Sequence, residues 1–174
     1  MGIENRSSLN SSGDRYVYID DWQFPDTQMV NLEYGDGKLI TWKDAVVMGV
    51  ILKIPQSVAL FIGETGTLVI GGGNAYKIYD LKNKLVKDVT SEMSFKAGDT
   101  FHFSNLLDGI RKGASLNADI NVGCISTTLA HLGNISQRTK TTFRTNPVNG
   151  HIIDNRAATK LWNRKYQKGW EMKL

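Results

Sequence analysis

The sequence predicts an α+β protein with an open, mainly antiparallel β-sheet that helices cover on one face. Between Tyr16 and Val89, short runs rich in Val, Ile, Tyr, Trp and Thr are separated by glycines, which is typical of strands and tight turns. Beyond Gly98 the apolar spacing changes to that of helices. Strands followed by helices, instead of strict alternation, favour α+β over a parallel α/β sheet.

The first hairpin is predicted over residues 27–42. Val30, Leu32 and Tyr34 occupy alternate positions, so one face of this strand is apolar. The following Gly-Asp-Gly at 35–37 supplies the positive backbone angles of a tight turn, and residues 38–42 run back as the partner strand.

Two further pairs of strands are predicted downstream. Residues 57–63 and 67–70 form a hairpin in which Gly66 can take a left-handed bulge position. Residues 75–79 and 84–89 pair through a turn at 80–83.

Three helices are predicted in the second half of the chain. Phe103, Leu106, Leu107 and Ile110 form one apolar stripe, with Asp99 or Thr100 as the N-cap and Gly113 as the stop. A longer helix is predicted over residues 120–137. Asp154 is the predicted cap of a last, short helix.

The domain prediction is a mobile lead-in over residues 1–13 and a single domain over 14–174. The lead-in is polar, rich in Ser and Asn, and without the apolar stretch of a secretory signal, so the cytoplasm is the default compartment. The longest apolar run, residues 45–52, is far shorter than the roughly 20 residues that cross a bilayer, so no membrane span is predicted.

Charge and cysteine content exclude several classes of protein. The net charge of +4 comes from Lys and Arg scattered along the chain, without the dense stripe that follows phosphates, so nucleic-acid binding is not predicted. The densest basic stretch is the tail, where aromatics at helical spacing indicate packing: Lys160, Trp162, Arg164, Lys165, Tyr166, Lys168 and Trp170.

The single cysteine, Cys124, excludes an internal disulfide and a cysteine-rich metal site, and it is predicted to be a small core residue.

No motif for a nucleotide or a metal stands in the sequence. Gly71, Gly72 and Gly73 precede another predicted strand instead of a helix, so they indicate a turn and not a dinucleotide-binding loop. The three histidines lie far apart, without the i, i+4 spacing of a helical zinc site.

Two stretches offer groups that suit a sugar. Residues 20–26, DDWQFPD, place acids beside aromatics, which suits sugar hydroxyls and ring faces and equally suits a plain strand entry. His102 falls in the first turn of a predicted helix, where its imidazole can donate to a ligand or simply cap and pack.

Several separate stretches resemble, in the same order, the bacterial Gfo/Idh/MocA oxidoreductase family. They are GDRYVYIDDWQFPDTQMVNLEYGDGKLITW, GETGTLVI, GGGNAYKIYDLKNKLV, HFSNLLDGIRKG and HLGNISQR. The resemblance covers most of residues 14–170 and lies in the later part of that family's C-terminal α/β domain. It implies a full-length enzyme with an N-terminal Rossmann domain that binds NAD(P). The sheet domain of such an enzyme shapes the substrate pocket and mediates oligomerisation.

Family substrates are mostly sugars, polyols and glycosides, oxidised by hydride transfer, and some relatives cleave glycosidic bonds with tightly held NAD. The family's nucleotide glycines, its Glu-Lys-Pro motif and its Asp and His pair have no counterpart in this sequence. Residues 43–56, KDAVVMGVILKIPQ, are also more apolar than the family's loop, which indicates packing against a partner.

The resemblance therefore implies the separated sheet domain of a sugar or polyol dehydrogenase that is inactive alone. We expect no catalytic residue, no metal ligand and no cofactor held by this chain, with NAD(P) needed by a full-length relative. The predicted substrate contacts are Asp21, Trp22, Trp42 and His102. The expected partners are a second copy bound through the sheet face, a Rossmann domain and a sugar-like molecule. The alternatives are a non-catalytic assembly or carbohydrate-binding module, and part of an NAD-dependent glycoside hydrolase.

Overall fold

The computed structural model describes residues 6–45, 59–71, 75–90, 95–146 and 148–171. The chain groups into two compact units. Unit 1 comprises Met1–Val47 and Ile120–Leu174, and unit 2 comprises Met48–Asp119. Unit 1 is built from both ends of the chain. The single domain over 14–174 stays a prediction.

The described elements are strands in the first half of the chain, then two helices, a short pair of strands and a last helix. The strands are β1 (Arg6–Asp14), β2 (Thr27–Tyr34), β3 (Leu39–Ala45), β4 (Ala59–Gly63), β5 (Gly66–Ile70), β6 (Tyr76–Asp80), β7 (Leu85–Val89), β8 (Arg144–Thr145) and β9 (Ile152–Ile153). The helices are α1 (Phe95–Lys112), α2 (Ile120–Thr139) and α3 (Arg156–Thr159). The strands β1, β8 and β9 were not predicted.

The predicted fold class is confirmed: antiparallel sheets combine with a few helices. The strands lie in a three-stranded sheet β1-β2-β3, a four-stranded sheet β4-β5-β6-β7 and the pair β8-β9. Every pairing between the described strands is antiparallel, so no Rossmann-type arrangement is present in this part of the chain.

The β2-β3 hairpin of unit 1 is confirmed at its predicted position. Gly37 has a φ of 81°, the left-handed region that this turn requires. The side chains of β2 alternate, and Val30, Leu32 and Tyr34 are buried while Glu33 is exposed. The period of two in the sequence therefore gave the correct buried face.

Helix α2 covers that buried face. Leu132 is fully buried and Ile135 nearly so, in one cluster with Val30 and Leu32. The helix lies so close to the sheet that a Cβ on Gly133 would stand 2.9 Å from Cγ2 of Val30. A residue without a side chain is therefore needed at this helix position.

The prediction of a mobile lead-in over residues 1–13 is wrong for residues 6–13, which belong to β1. Leu9 is fully buried, and its backbone exchanges hydrogen bonds with Phe143 at 2.9 and 3.1 Å. Polar residues form this strand because its backbone pairs with β2 along its whole length and one apolar side chain reaches the core.

The uncovered face of the β1-β2-β3 sheet is polar. Ser8 donates to Glu33 at 2.7 Å, and Thr41 donates to Asn31 at 2.8 Å, across neighbouring strands. The amide of Asn31 in turn donates to Asn10 at 3.2 Å. This face is mainly polar, and Met29 and Leu39 are exposed apolar side chains on it.

The β4-β5 and β6-β7 hairpins of unit 2 are also confirmed. Gly66, predicted at a bulge, lies instead in regular register opposite Gly63. Its φ of 155° and the carbonyl of Tyr79, which a Cβ would overlap, explain why a glycine stands there. The N–H of Gly71 donates to Ala75 at 3.2 Å, so the chain turns at this point as predicted, while Gly72 and Gly73 lie outside the described residues.

Unit 2 has apolar side chains on both faces of its sheet. Cross-strand partners share a face. Phe61, Leu68 and Ile78 lie on one face, and Leu60 and Val69 lie on the other. None of the described residues of unit 2 is buried.

Helix boundaries depart from the predictions at two caps. Helix α1 begins at Phe95, so neither Asp99 nor Thr100 caps it, because the apolar stripe starts later than the helical backbone. Gly113 ends it as predicted, with a φ of 68°. The cap of α3 is Asn155, which accepts the N–H of Ala158 at 2.9 Å, and Asp154 precedes it with a φ of 59°.

Candidate functional site

Residues 15–26 connect β1 to β2 and contain two of the predicted substrate contacts, and a single arginine holds this loop together. The Arg15 guanidinium donates to the backbone carbonyls of Tyr18 at 2.8 Å and Asp20 at 2.7 Å, to that of Trp22, and to the Asp20 carboxylate. Planar guanidinium donors suit several acceptors at fixed angles. The Arg15 guanidinium therefore binds acceptors of the loop itself, and these hydrogen bonds fix the loop backbone.

Asp26 closes the other end of the loop. Its carboxylate accepts the N–H groups of Tyr18 at 3.0 Å, Val17 at 2.8 Å and Tyr16 at 3.1 Å. These bonds, the one from Tyr18 first, lower the pKa of Asp26 to about 2 because they favour the charged carboxylate. The 15–26 loop thus has a defined backbone conformation without a hydrophobic interior.

The loop rests on the end of helix α2. The Arg138 guanidinium lies 5.0 Å from the centre of the Phe24 ring, and Gln137 donates to the carbonyl of Gly13 at 3.1 Å. Phe24 in turn contacts Trp22, with ring centres 5.8 Å apart and planes tilted by 53°. These contacts place the loop at one end of the unit 1 core.

Asp21 and Trp22, two of the predicted substrate contacts, lie together on the outside of this loop. The Trp22 side chain is 66% exposed, and Asp21 is exposed beside it. An aromatic face next to a carboxylate can stack on the C–H face of a sugar ring and accept its hydroxyl hydrogens. The Asp20 carboxylate is engaged with Arg15 and with the N–H of Trp22 at 2.8 Å, so Asp21 is the accessible acid of the pair.

Trp42 lies in the same unit, on β3. It pairs with Val30 of β2. The 15–26 loop joins β2 at Thr27, which pairs with Ala45, three residues along β3 from Trp42. At 3.4 Å per residue, this places the backbone of Trp42 roughly 10 Å along the sheet from the loop base. Its ring is 47% exposed, so it is available at the edge of the helix-covered face.

His102 lies in unit 2 and is separate from the other three predicted contacts. Since α1 begins at Phe95, His102 lies beyond the first turn of the helix, and its predicted position beside the helix N-terminus is wrong. It is exposed, and its ring centre lies 6.1 Å from that of Phe103. The structure therefore brings Asp21, Trp22 and Trp42 into one unit and leaves His102 on the other.

The described part of the chain contains neither a cluster of metal ligands nor a membrane-spanning helix. No group of three or more His, Cys, Asp or Glu residues there is arranged to hold a metal ion. No helix there is long and apolar enough to cross a membrane. Cys124, predicted to be a core residue, is exposed because it stands on the N-terminal half of α2, where the helix does not face the buried cluster.

The residues that organise the site, Arg15 and Asp26, were missed by the sequence reasoning. Their bonds go to backbone atoms, which carry no residue-specific pattern. The available signal was their position: each stands at one end of a short run of exposed aromatics between two strands.

Comparison with known proteins gives similarity of fold. No protein-family model matches the sequence. No curated protein matches it. Solved structures do match, at 11–15% sequence identity for those described next.

An oxidoreductase from Agrobacterium radiobacter, in complex with NAD+, L-tartaric acid and magnesium, matches with a TM-score of 0.60 over 80% of this chain and 43% of that one. The UDP-N-acetylglucosamine 3-dehydrogenase GnnA from Acidithiobacillus ferrooxidans matches with a TM-score of 0.60 over 78% and 41%. The WlbA dehydrogenase from Bordetella pertussis, in complex with NADH and UDP-GlcNAcA, matches with 0.56 over 80% and 39%. The chain thus spans less than half the length of each of these oxidoreductases and shares the fold of that part.

Proposed function

We propose that this chain is the substrate-binding and assembly domain of an NAD(P)-dependent sugar or polyol dehydrogenase, and that it requires a Rossmann domain for catalysis. The observation that carries the proposal is the match of 80% of this chain to 43% of an NAD+-bound oxidoreductase. The resemblance of separate stretches, from residue 14 to residue 170, to the Gfo/Idh/MocA family points to the same class.

In this proposal the dinucleotide is held by the Rossmann domain and not by this chain. A pyrophosphate is held where a glycine-rich turn leads from a strand of a parallel sheet into a helix. The turn at Gly71 instead joins two antiparallel strands. Hydride transfer therefore depends on a nucleotide that a separate Rossmann domain holds, and this chain contributes contacts to the substrate only.

The substrate class that suits the site is a small polyhydroxylated molecule. Trp22 offers a stacking face and Asp21 an acceptor for hydroxyl groups, and Trp42 extends the aromatic surface in the same unit. The neighbours whose structures include L-tartaric acid or UDP-GlcNAcA bind molecules of this chemistry. His102 is a contact in this proposal only where the assembled enzyme brings unit 2 to the same pocket.

The four-stranded sheet of unit 2 is the proposed surface for assembly with a second copy or with the Rossmann partner. Ile62 is 82% exposed and Phe61 57% exposed, on opposite faces of this sheet. The uncovered face of β1-β2-β3 is mainly polar, so it is a poorer candidate for such a contact. Residues 43–56 are predicted to pack against a partner; residues 43–45 end β3, and residues 46–56 lie outside the described residues.

Calorimetric titration of the purified 174-residue chain tests the proposal. NADH and NADPH are titrated first and UDP-N-acetylglucosamine second, with a circular dichroism spectrum to show that the chain is folded. We expect no saturable heat from either nucleotide, and we expect weak binding of the sugar nucleotide that Trp22→Ala reduces and the matched control Leu85→Ala does not. Saturable binding of NADH or NADPH would overturn the proposal.

The second candidate is a non-catalytic module that binds carbohydrate and assembles through the unit 2 sheet. The exposed apolar sheet favours it, because this surface needs a partner whether or not a Rossmann domain exists. Addition of the matching Rossmann half separates the two: dehydrogenation of the sugar supports the first candidate, and unchanged sugar binding without turnover supports the second. Cleavage of a glycoside by the reconstituted enzyme would identify the alternative reaction of an NAD-dependent glycoside hydrolase.

A further inference from the structure

Unit 1 displays two exposed segments of opposite charge. The 15–26 loop carries three carboxylates and one cation, so its net charge is −2 in a protein whose net charge is +4. Residues 160–171, named here the C-terminal tail, carry four cations and one carboxylate. The four cations are Lys160, Arg164, Lys165 and Lys168.

The outer surface of the 15–26 loop is apolar as well as acidic. Ile19 is fully exposed, Tyr16 is 71% exposed and Trp22 is 66% exposed. Arg15 is directed inward to the loop carbonyls and the Arg138 guanidinium lies over the Phe24 ring, and among the described residues neither forms an ion pair with Asp21. Because the backbone is fixed by Arg15 and Asp26, a partner that binds the loop has little ordering of the backbone to oppose it.

The C-terminal tail forms a basic and aromatic concavity. Trp162 anchors its start against the core, with the ring centre 4.7 Å from that of His151. The Arg164 guanidinium lies 5.2 Å from the centre of the Tyr166 ring, and the N–H of Trp170 closes a turn onto the carbonyl of Gln167 at 2.9 Å. Arg164, Lys165, Tyr166, Gln167 and Trp170 line a shallow, open concavity of about 480 Å³.

The two segments do not bind each other within one chain. No hydrogen bond or ion pair between described residues joins the 15–26 loop to the C-terminal tail. Trp170 is 77% exposed in the same structure in which Trp22 is 66% exposed. Both surfaces are therefore available to another molecule, and each has the charge and the shape that the other lacks.

We propose that the 15–26 loop of one copy of this chain docks into the C-terminal tail of a second copy. Asp21 pairs with Lys165 or Lys168 of the neighbour, and Trp22 and Ile19 enter the concavity beside Tyr166 and Trp170. Docking therefore competes with the proposed binding of a sugar to Asp21 and Trp22. Lysine and arginine groups over aromatic rings add to the attraction between the charges.

This contact joins two different segments of the chain. It closes a two-fold dimer where each copy's loop enters the other copy's tail, and otherwise it builds a ring or an open chain of copies. It is also independent of the unit 2 sheet. An apolar contact through that sheet changes little with salt, whereas a contact between exposed charges weakens as the Debye length falls to about 10 Å at 0.1 M salt.

Sedimentation velocity of the full chain, at increasing protein concentration and at low and high NaCl, tests the proposal. We expect self-association at low salt that weakens roughly two- to fivefold at high salt, because the exposed pair between Asp21 and a lysine of the tail is screened. Asp21→Lys alone and Lys165→Glu with Lys168→Glu should each weaken it by a similar factor. All three substitutions in one chain should restore it, because the charges are then exchanged. Lys82→Glu, at an exposed lysine of unit 2, is the matched control.

Three results would overturn the proposal. They are a monomer at every concentration at low salt, association that neither salt nor the charge reversals weaken, and failure of the charge exchange to restore association. Association that survives the charge reversals but is lost in Ile62→Asp would place the contact on the unit 2 sheet and reject the loop and tail contact.

Discussion

Unit 1 and unit 2 contain similar proportions of apolar sequence, but only unit 1 has a buried core among the described residues. Leu9, Val30 and Leu132 of unit 1 are at most 2% exposed. In unit 2 the apolar residues Leu60, Ile62 and Phe103 are at least 59% exposed. Unit 1 buries its apolar face because helix α2 lies against β1 and β2, whereas no described residue of unit 2 is buried against the β4-β5-β6-β7 sheet.

The difference teaches that an amphipathic pattern specifies a face and not what covers it. The side chains Phe101 and Ile110 of α1 are as apolar as those of α2, yet they are 64% and 74% exposed. Exposed apolar area of this extent is a free-energy cost until a partner covers it. The comparison therefore predicts large effects of substitution in unit 1 and small ones in unit 2 of the isolated chain.

The largest expected effect is at Leu132. Leu132→Ala removes a fully buried side chain and leaves a cavity, so we expect a loss of about 2–5 kcal/mol in the free energy of unfolding. Urea unfolding followed by circular dichroism measures it. Leu60→Ala, at a leucine of unit 2 that is 59% exposed, is the matched control and should change the free energy by less than about 0.5 kcal/mol. Equal losses at the two sites would break the comparison.

The next largest change in stability is expected at Gly133 of α2, and Gly123 of the same helix provides the comparison. A Cβ on Gly133 would press on Val30, so Gly133→Ala should destabilise unit 1 by about 1–3 kcal/mol through overpacking. A Cβ on Gly123 meets nothing within 4 Å, so Gly123→Ala should stabilise the protein by up to about 1 kcal/mol through helix propensity. Thermal unfolding of both variants checks the opposite signs, and stabilisation by Gly133→Ala would show that the helix is not held against the sheet.

A smaller effect is expected at the cap of α3. Asn155 accepts the N–H of Ala158 and donates to Thr141 at 2.9 Å, so Asn155→Ala should cost about 1 kcal/mol of unit 1 stability. Asn155→Asp keeps the acceptor and should recover part of the loss. Asp154→Asn is the control, since the structure does not place Asp154 at the cap and asparagine tolerates the φ of 59° at this position. A larger loss at Asp154 than at Asn155 would contradict the assignment.

The smallest effect on global stability is the pH dependence of the 15–26 loop. The pKa of Asp26 is lowered from 3.8 to about 2, so its stabilising contribution is present above pH 4 and is lost as the pH falls through 2. Nuclear magnetic resonance of the amides of Tyr16, Val17 and Tyr18 should show this transition, and Asp26→Asn should remove it. A midpoint near 4 in the wild-type protein would show that the carboxylate does not hold the loop.

Much of the fold was predictable from local pattern. The alternation in β2, the turn at Gly37 and the stop at Gly113 depend on neighbouring residues, and the structure confirms each of them. The strand β1 was not predictable in this way, because its pairing with β2 and its contact with Phe143 join residues that are distant in sequence. The division into two units likewise depends on contacts between the two ends of the chain.

The sequence predicted which residues the candidate site contains, but it did not predict how they are arranged in space. Aromatics beside acids marked Asp21 and Trp22, and the structure places both on one exposed loop. The roles of Arg15 and Asp26 follow from bonds to backbone atoms, and the separation of His102 follows from the unit boundary, neither of which leaves a local pattern. The roles of Asp21, Trp22, Trp42 and His102 as substrate contacts are predictions.

Hydrogen exchange read by mass spectrometry on the intact chain, at low and high protein concentration, tests most directly the claim that unit 2 depends on a partner. We predict that the amides of β1-β2-β3 and α2 are protected at both concentrations, and that those of β4-β5-β6-β7 exchange rapidly in the monomer and become protected on association. Protection of the unit 2 sheet equal to that of unit 1 in a chain shown to be monomeric would contradict the account.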